Sequence, residues 1–168
     1  MRLTRRHLRL PDRQAQAAAS RFRFRVATHE AGHACAARLL GLSPCGEASC
    51  IEPAYYARVP TDQGWRSICA IFAGSIAEGV TSIDDFAEYE GDYELATAEL
   101  ERIGFSDADA IALWCRTQEI LYSHRCTIKV VATCLWSAGW LDGKTIDDLV
   151  RIDLADCRPR PCSVPVSS

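Results

Sequence analysis

The sequence predicts a mainly α-helical domain of the α+β class, with one small β element near its start. Three observations carry this prediction. Alanine-rich or amphipathic stretches without internal proline recur from residue 24 to about residue 155. Helix punctuation brackets them, with Gly41 and Gly139 as C-terminal stops and Ser106 and Thr145 as N-terminal caps. Only Cys50-Ile51 and Tyr55–Val59 read as strands, split by Pro53 and closed by Pro60. The 168 residues suffice for one compact domain with its own core.

The elements follow in order. Residues 1–20 read as a leader, with room for a short helix over Gln14–Ser20. Residues 24–41 form a helix that stops at Gly41. Ser43-Pro44-Cys45-Gly46 is a turn ahead of the two short strands. Trp65–Glu78 is apolar almost all round, as a buried helix is. Thr81–Glu88 is an acid-rich loop, and Asp92–Ile103 a third helix. Ser106 caps a fourth, from about Asp107 to His124, with Asp109 near the acidic position of a capping box. A fifth runs from Cys126 to about Ser137, and Thr145 caps a last one over Ile146–Leu154. The expected organisation is a flexible basic leader (1–23), one domain (24–155) and an irregular tail (156–168).

Hydrophobic residues make up 48% and charged residues 24%, the balance of a soluble globular protein. No apolar run approaches the 18 or so residues that span a bilayer. No apolar h-region precedes a cleavage site, so the expected location is cytoplasmic. An odd count of nine cysteines argues against a full disulfide framework. Buried, reduced thiols are the expectation, with Cys45/Cys50 and Cys157/Cys162 as weak candidates for a second metal site. The first 25 residues carry eight arginines against Asp12 alone; taking these from 19 basic and 22 acidic residues leaves a body near −10. Such a leader can touch nucleic acid, anionic lipid or the acidic body, or stay solvated.

Chemistry concentrates in Thr28-His29-Glu30-Ala31-Gly32-His33-Ala34. On a helix, His29 and His33 sit one turn apart on one face. Two imidazoles so placed reach a single Zn²⁺ at about 2.0–2.1 Å. Glu30, beside the first ligand, is positioned to take a proton from a water that the metal acidifies. This is the H-E-x-x-H arrangement of zinc proteases. A catalytic zinc needs a third protein ligand. His7 lies in the leader and His124 ends a distant helix, which favours a carboxylate: Glu78, Asp84, Asp85, Glu88, Glu90 or Asp92. Spacing alone does not choose among them.

The motif with its flanks, Arg25 to Ala34, resembles the peptidase domain of the FtsH-type membrane-anchored AAA+ proteases. Ala73-Gly74-Ser75-Ile76-Ala77-Glu78 is similar to that family's Gly-Gly/Arg-Ala-Ala-Glu helix. Gly91-Asp92-Tyr93-Glu94-Leu95-Ala96-Thr97 resembles its Asn-Asp-Leu-x-x-Ala-Thr segment, with Gly91 in place of the asparagine. Leu135 to Leu149 is similar to its C-terminal helix, turn and helix. The resemblance spans about residues 24–155. It implies a zincin-like peptidase domain, Asp92 as third zinc ligand and a polypeptide substrate. The family's ATPase module and membrane spans have no counterpart here. Gly139-Trp140-Leu141-Asp142-Gly143-Lys144-Thr145 falls one residue short of a phosphate loop. The expectation is therefore a stand-alone, ATP-independent zinc metalloendopeptidase, with a separate AAA+ ATPase or a second copy as candidate partners. Two alternatives stand beside it: a non-catalytic relative used for binding or regulation, and a nucleic-acid-associated accessory protein working through the arginine-rich leader. In the first reading Glu30 has no task, and the second makes binding steeply salt-dependent.

Overall fold

The computed structural model describes residues 13–42, 46–52, 54–61 and 63–156. Most of the leader, the tail from Cys157, Cys45 and Pro53 lie outside them. The order of elements is α1 (Arg13–Leu39), β1 (Ala48–Ile51), β2 (Ala54–Ala57), α2 (Trp65–Glu78), a 3₁₀ turn (Asp84–Glu88), α3 (Glu90–Ile103), α4 (Asp107–Ser123), α5 (Arg125–Ala138), β3 (Trp140–Leu141) and α6 (Gly143–Asp156). The described chain is mainly helical, with a small three-stranded antiparallel sheet ordered β2-β1-β3.

α1 is the axis of the fold. Its 27 residues run unbroken from Arg13, whereas the sequence suggested a separate short helix ahead of a start at residue 24. Nothing between Gln14 and Arg25 breaks a helix, and alanine, glutamine and arginine all favour one. The helix ends as expected: Gly41 adopts φ 70°, and the Leu42 N–H returns to the Ala37 carbonyl at 2.9 Å. The core-facing side of α1 is built of small residues, Ala27, Ala31, Ala34, Cys35, Ala36 and Ala37, all buried. Small residues let the neighbouring backbones come close. At Gly32 an added Cβ would strike the Ala73 carbonyl and lie 2.7 Å from Ala77 Cβ.

α2 matches its expected bounds, and Ser67 to Ser75 are all buried. One face packs against α1. The other joins a second cluster in which Phe72 meets Phe86 at 5.1 Å and Trp114 at 5.3 Å between ring centroids. Phe86, inside the stretch expected as a loop, anchors the 3₁₀ turn there. Each such buried side chain contributes about 1.5–3 kcal/mol. The Ser106–Asp109 capping box forms at the start of α4. At the start of α6 the capping oxygen belongs to Asp142, which accepts from the Thr145 N–H at 2.7 Å. Aspartate caps as well as threonine, so the helix opens three residues before the expected position.

β3 went unseen in the sequence because two residues carry no periodicity. It pairs Leu141 with Ala48 and Trp140 with Ser49, which makes β1 the central strand. Among the described residues the open edges of the sheet belong to β2 and β3. No described helix is long and apolar enough to cross a membrane.

Candidate metal centre

α1 supplies His29, Glu30 and His33, and the first turn of α3 supplies Asp92. His29 Nε2 lies 2.9 Å from His33 Nε2 and 2.9 Å from Asp92 Oδ2. His33 Nε2 lies 3.2 Å from the same Asp92 oxygen. These three residues form a group able to hold a metal ion.

The outer nitrogens fix what faces inward. His33 Nδ1 donates to the Ala70 carbonyl at 2.8 Å. His29 Nδ1 faces Glu78 Oε1 at 2.9 Å. A carbonyl and a carboxylate only accept, so the neutral form of each imidazole that suits them carries its hydrogen on Nδ1 and turns a lone pair inward on Nε2. Two nitrogen lone pairs and a carboxylate oxygen thus converge within 3.2 Å of one another. Such a cluster is repulsive unless a cation sits among its members. Ligand atoms about 2.0–2.1 Å from a tetrahedral zinc are about 3.3 Å apart. The triangle is slightly tighter than that, and the donor set is one zinc accepts. The residues present fit the metal.

Electrostatics report the same demand for positive charge. Burial works to lower the His29 pKa, but the bonds to Asp92 and Glu78 outweigh it and raise the value to about 10. His33 is raised too, with the Asp92 charge overcoming burial. Asp92, although largely buried, is held well below the usual carboxylate range by the two imidazoles. Without metal, protons supply the cation that the cluster needs.

Glu30 is 6% exposed, and its Oε2 has no hydrogen-bond partner among the described residues. Burial pushes its pKa up, making it a stronger base once ionised. Glu78 is not part of the group formed by His29, His33 and Asp92. It braces His29 from behind and is itself held by Arg25 at 2.7 Å, with the Tyr89 hydroxyl at 3.4 Å. Such outer partners orient a ligating imidazole and raise its basicity. The Arg25 and His29 bonds also keep Glu78 ionised against the effect of its burial.

Two further contributors were not read from the sequence. The Tyr89 ring stacks on His29, with centroids 5.6 Å apart and planes 8° apart. Gly74 leaves the room that both imidazoles occupy, since a Cβ there would lie 2.5 Å from His33 Cε1 and 2.7 Å from His29 Nε2. The remaining carboxylate candidates, Asp84, Asp85, Glu88 and Glu90, are exposed. Cys50 is buried and donates its thiol to the Leu135 carbonyl, so it serves the core; Cys45, Cys157 and Cys162 fall outside the described residues, as does His7. No protein-family model matches the chain, and neither a curated protein nor a solved structure shows significant similarity to it.

Proposed function

We propose that this chain is a zinc-dependent metallopeptidase with a zincin-like, FtsH-type peptidase domain. The observation that carries the reading is the convergence of three lone-pair donors, each oriented from behind, next to a buried carboxylate with an unpaired oxygen. His29, His33 and Asp92 would hold the metal. A zinc ion held there would supply Lewis acidity toward a peptide carbonyl and a water molecule. Glu30, with its unpaired Oε2, would be the proton carrier between water and the leaving amine. Its neighbours on α1 keep it beside the ligands without joining them. Glu78 and the Ala70 carbonyl hold the imidazoles in the tautomer that binds metal. An extended substrate has the open edge of β2 to pair with.

Two carboxylate variants test the reading together. Glu30→Gln keeps all three ligands, so it retains zinc by native mass spectrometry while hydrolysis of unfolded casein falls by about 10²–10⁴, the typical weight of general-base catalysis. Asp92→Ala removes a ligand, so it loses zinc itself and the stability that bound metal confers. Hydrolysis needs no ATP. Parent-like activity in Glu30→Gln would sink the enzyme reading, and parent-like zinc content in Asp92→Ala would sink the ligand set.

A further inference from the structure

Beside the His29–His33 stripe, about 100° round α1, Phe24 and Thr28 form a stripe of their own. It borders an open cavity of about 670 Å³ between α1, α2, α4 and α5. That volume falls in the range of about 300–1,000 Å³ typical of small-molecule sites. Leu121, Ile128 and Ala132, which line it, are 4%, 6% and 1% exposed. Phe24, Ile76 and Val80 extend the apolar lining.

The polar groups at the mouth are unevenly charged. Arg125 and Lys129 stand one turn apart on α5, both exposed and both lining the cavity. Neither forms an ion pair with a carboxylate among the described residues. The Arg125 guanidinium lies 5.2 Å from the Tyr122 ring centroid. Glu119, on α4, is the one carboxylate residue in the lining. A protein of net charge −3 thus keeps two cations with no carboxylate partner among the described residues at the rim of an apolar cavity. A ligand complementary to both has an apolar body and an anionic head.

We propose that this cavity binds a small anionic amphiphile, a single alkyl chain with a carboxylate head. The chain lies against Leu121, Ile128 and Ala132, and the head sits between Arg125 and Lys129. The inference does not depend on the metallopeptidase reading, because no residue of the metal centre lines the cavity.

Calorimetric titration of the full chain with octanoate and decanoate tests it. Apolar burial makes decanoate bind about tenfold tighter than octanoate. Decanol binds more weakly than decanoate, and decyltrimethylammonium more weakly still. Charge reversal at the exposed pair, Arg125→Glu with Lys129→Glu, weakens decanoate by about tenfold or more. Val80→Trp fills the cavity and removes binding. Glu119→Gln, at an exposed position, tightens it. Equal affinity for decanol and decanoate, or unchanged decanoate binding after charge reversal, overturns the proposal. So does displacement of decanoate by a leucine-rich peptide at lower concentration, which would make the cavity a peptide groove.

Discussion

Gly74 sits inside α2, where a methyl group would lie 2.5 Å from His33 Cε1 and 2.7 Å from His29 Nε2. Gly74→Ala therefore sets two effects against each other. A helix interior gains about 0.8–1.0 kcal/mol when glycine becomes alanine. Against this, the imidazoles must retreat, because real Cβ contacts do not fall below 3.0 Å. Displacing His33 strains its bond to Ala70, worth about 1 kcal/mol. The metal-free fold should thus change by no more than about 1 kcal/mol, roughly 2–4 °C in melting temperature for a domain of this size. Zinc binding responds far more. The retreat, at least about 0.5 Å, exceeds the ±0.2 Å or so within which ligand distances must lie. Affinity should fall at least as far as for lost outer-shell partners, about 10–100-fold. Melting with a chelator present reads the first quantity, and zinc titration against a competing chelator reads the second. A variant that binds zinc as tightly as the parent would show that the imidazoles do not occupy this space when ligating, which refutes the site geometry described above.

Glu78→Gln keeps a hydrogen-bond acceptor behind His29 but removes its charge, so zinc affinity should drop by about 10–100-fold while Asp92→Ala costs more; equal losses in competitive titrations would make Glu78 an inner ligand. The metal-free protein should be destabilised by alkali. The folded pKa of His29, about 10, lies above its ordinary 6.5, so its contribution is complete below pH 6.5 and disappears as pH rises toward 10. Over the same interval zinc affinity should rise, as fewer protons need displacing; melting curves and zinc titrations at pH 7 and pH 9 that move in the opposite senses would contradict the assignment. Gly32→Ala differs from Gly74→Ala because the obstacle is the Ala73 backbone, which cannot swing aside. Overpacking of this kind costs about 1–3 kcal/mol, a fall of roughly 3–10 °C in thermal melts, and an unchanged melting temperature would show that α1 and α2 separate freely.

Local signals in the sequence reached the helices and half of the site. His29, Glu30 and His33 share one helical segment, so their mutual placement follows from the helix period alone. Asp92 is remote in sequence, and residue spacing could not prefer it over Glu78; only the likeness of its surrounding segment did. Glu78 was named as a candidate, yet its position behind His29 depends on how α2 crosses α1. That crossing is set by Gly32 against Ala73 and Ala77, a tertiary contact with no periodic trace. Tyr89 carries no pattern that distinguishes it from a solvated loop residue, and its stacking on His29 arises only once the 3₁₀ turn has been anchored by Phe86. The register of the sheet was hidden for a simpler reason: Trp140 and Leu141 are too few to alternate.

The alanine face of α1 has a consequence for how this centre can change. Ala27, Ala31 and Ala36 are all completely buried, and alanine has no rotamers through which a larger neighbour could be absorbed. A protein with a leucine-and-phenylalanine core can drift, trading one bulky side chain for another while the backbones stay put. Here any enlargement pushes whole helices apart and carries the histidines with them. Descendants of this chain are free to vary its rim and its surface, but the distance between α1 and α2 is effectively frozen, and with it the span across which a metal can be held.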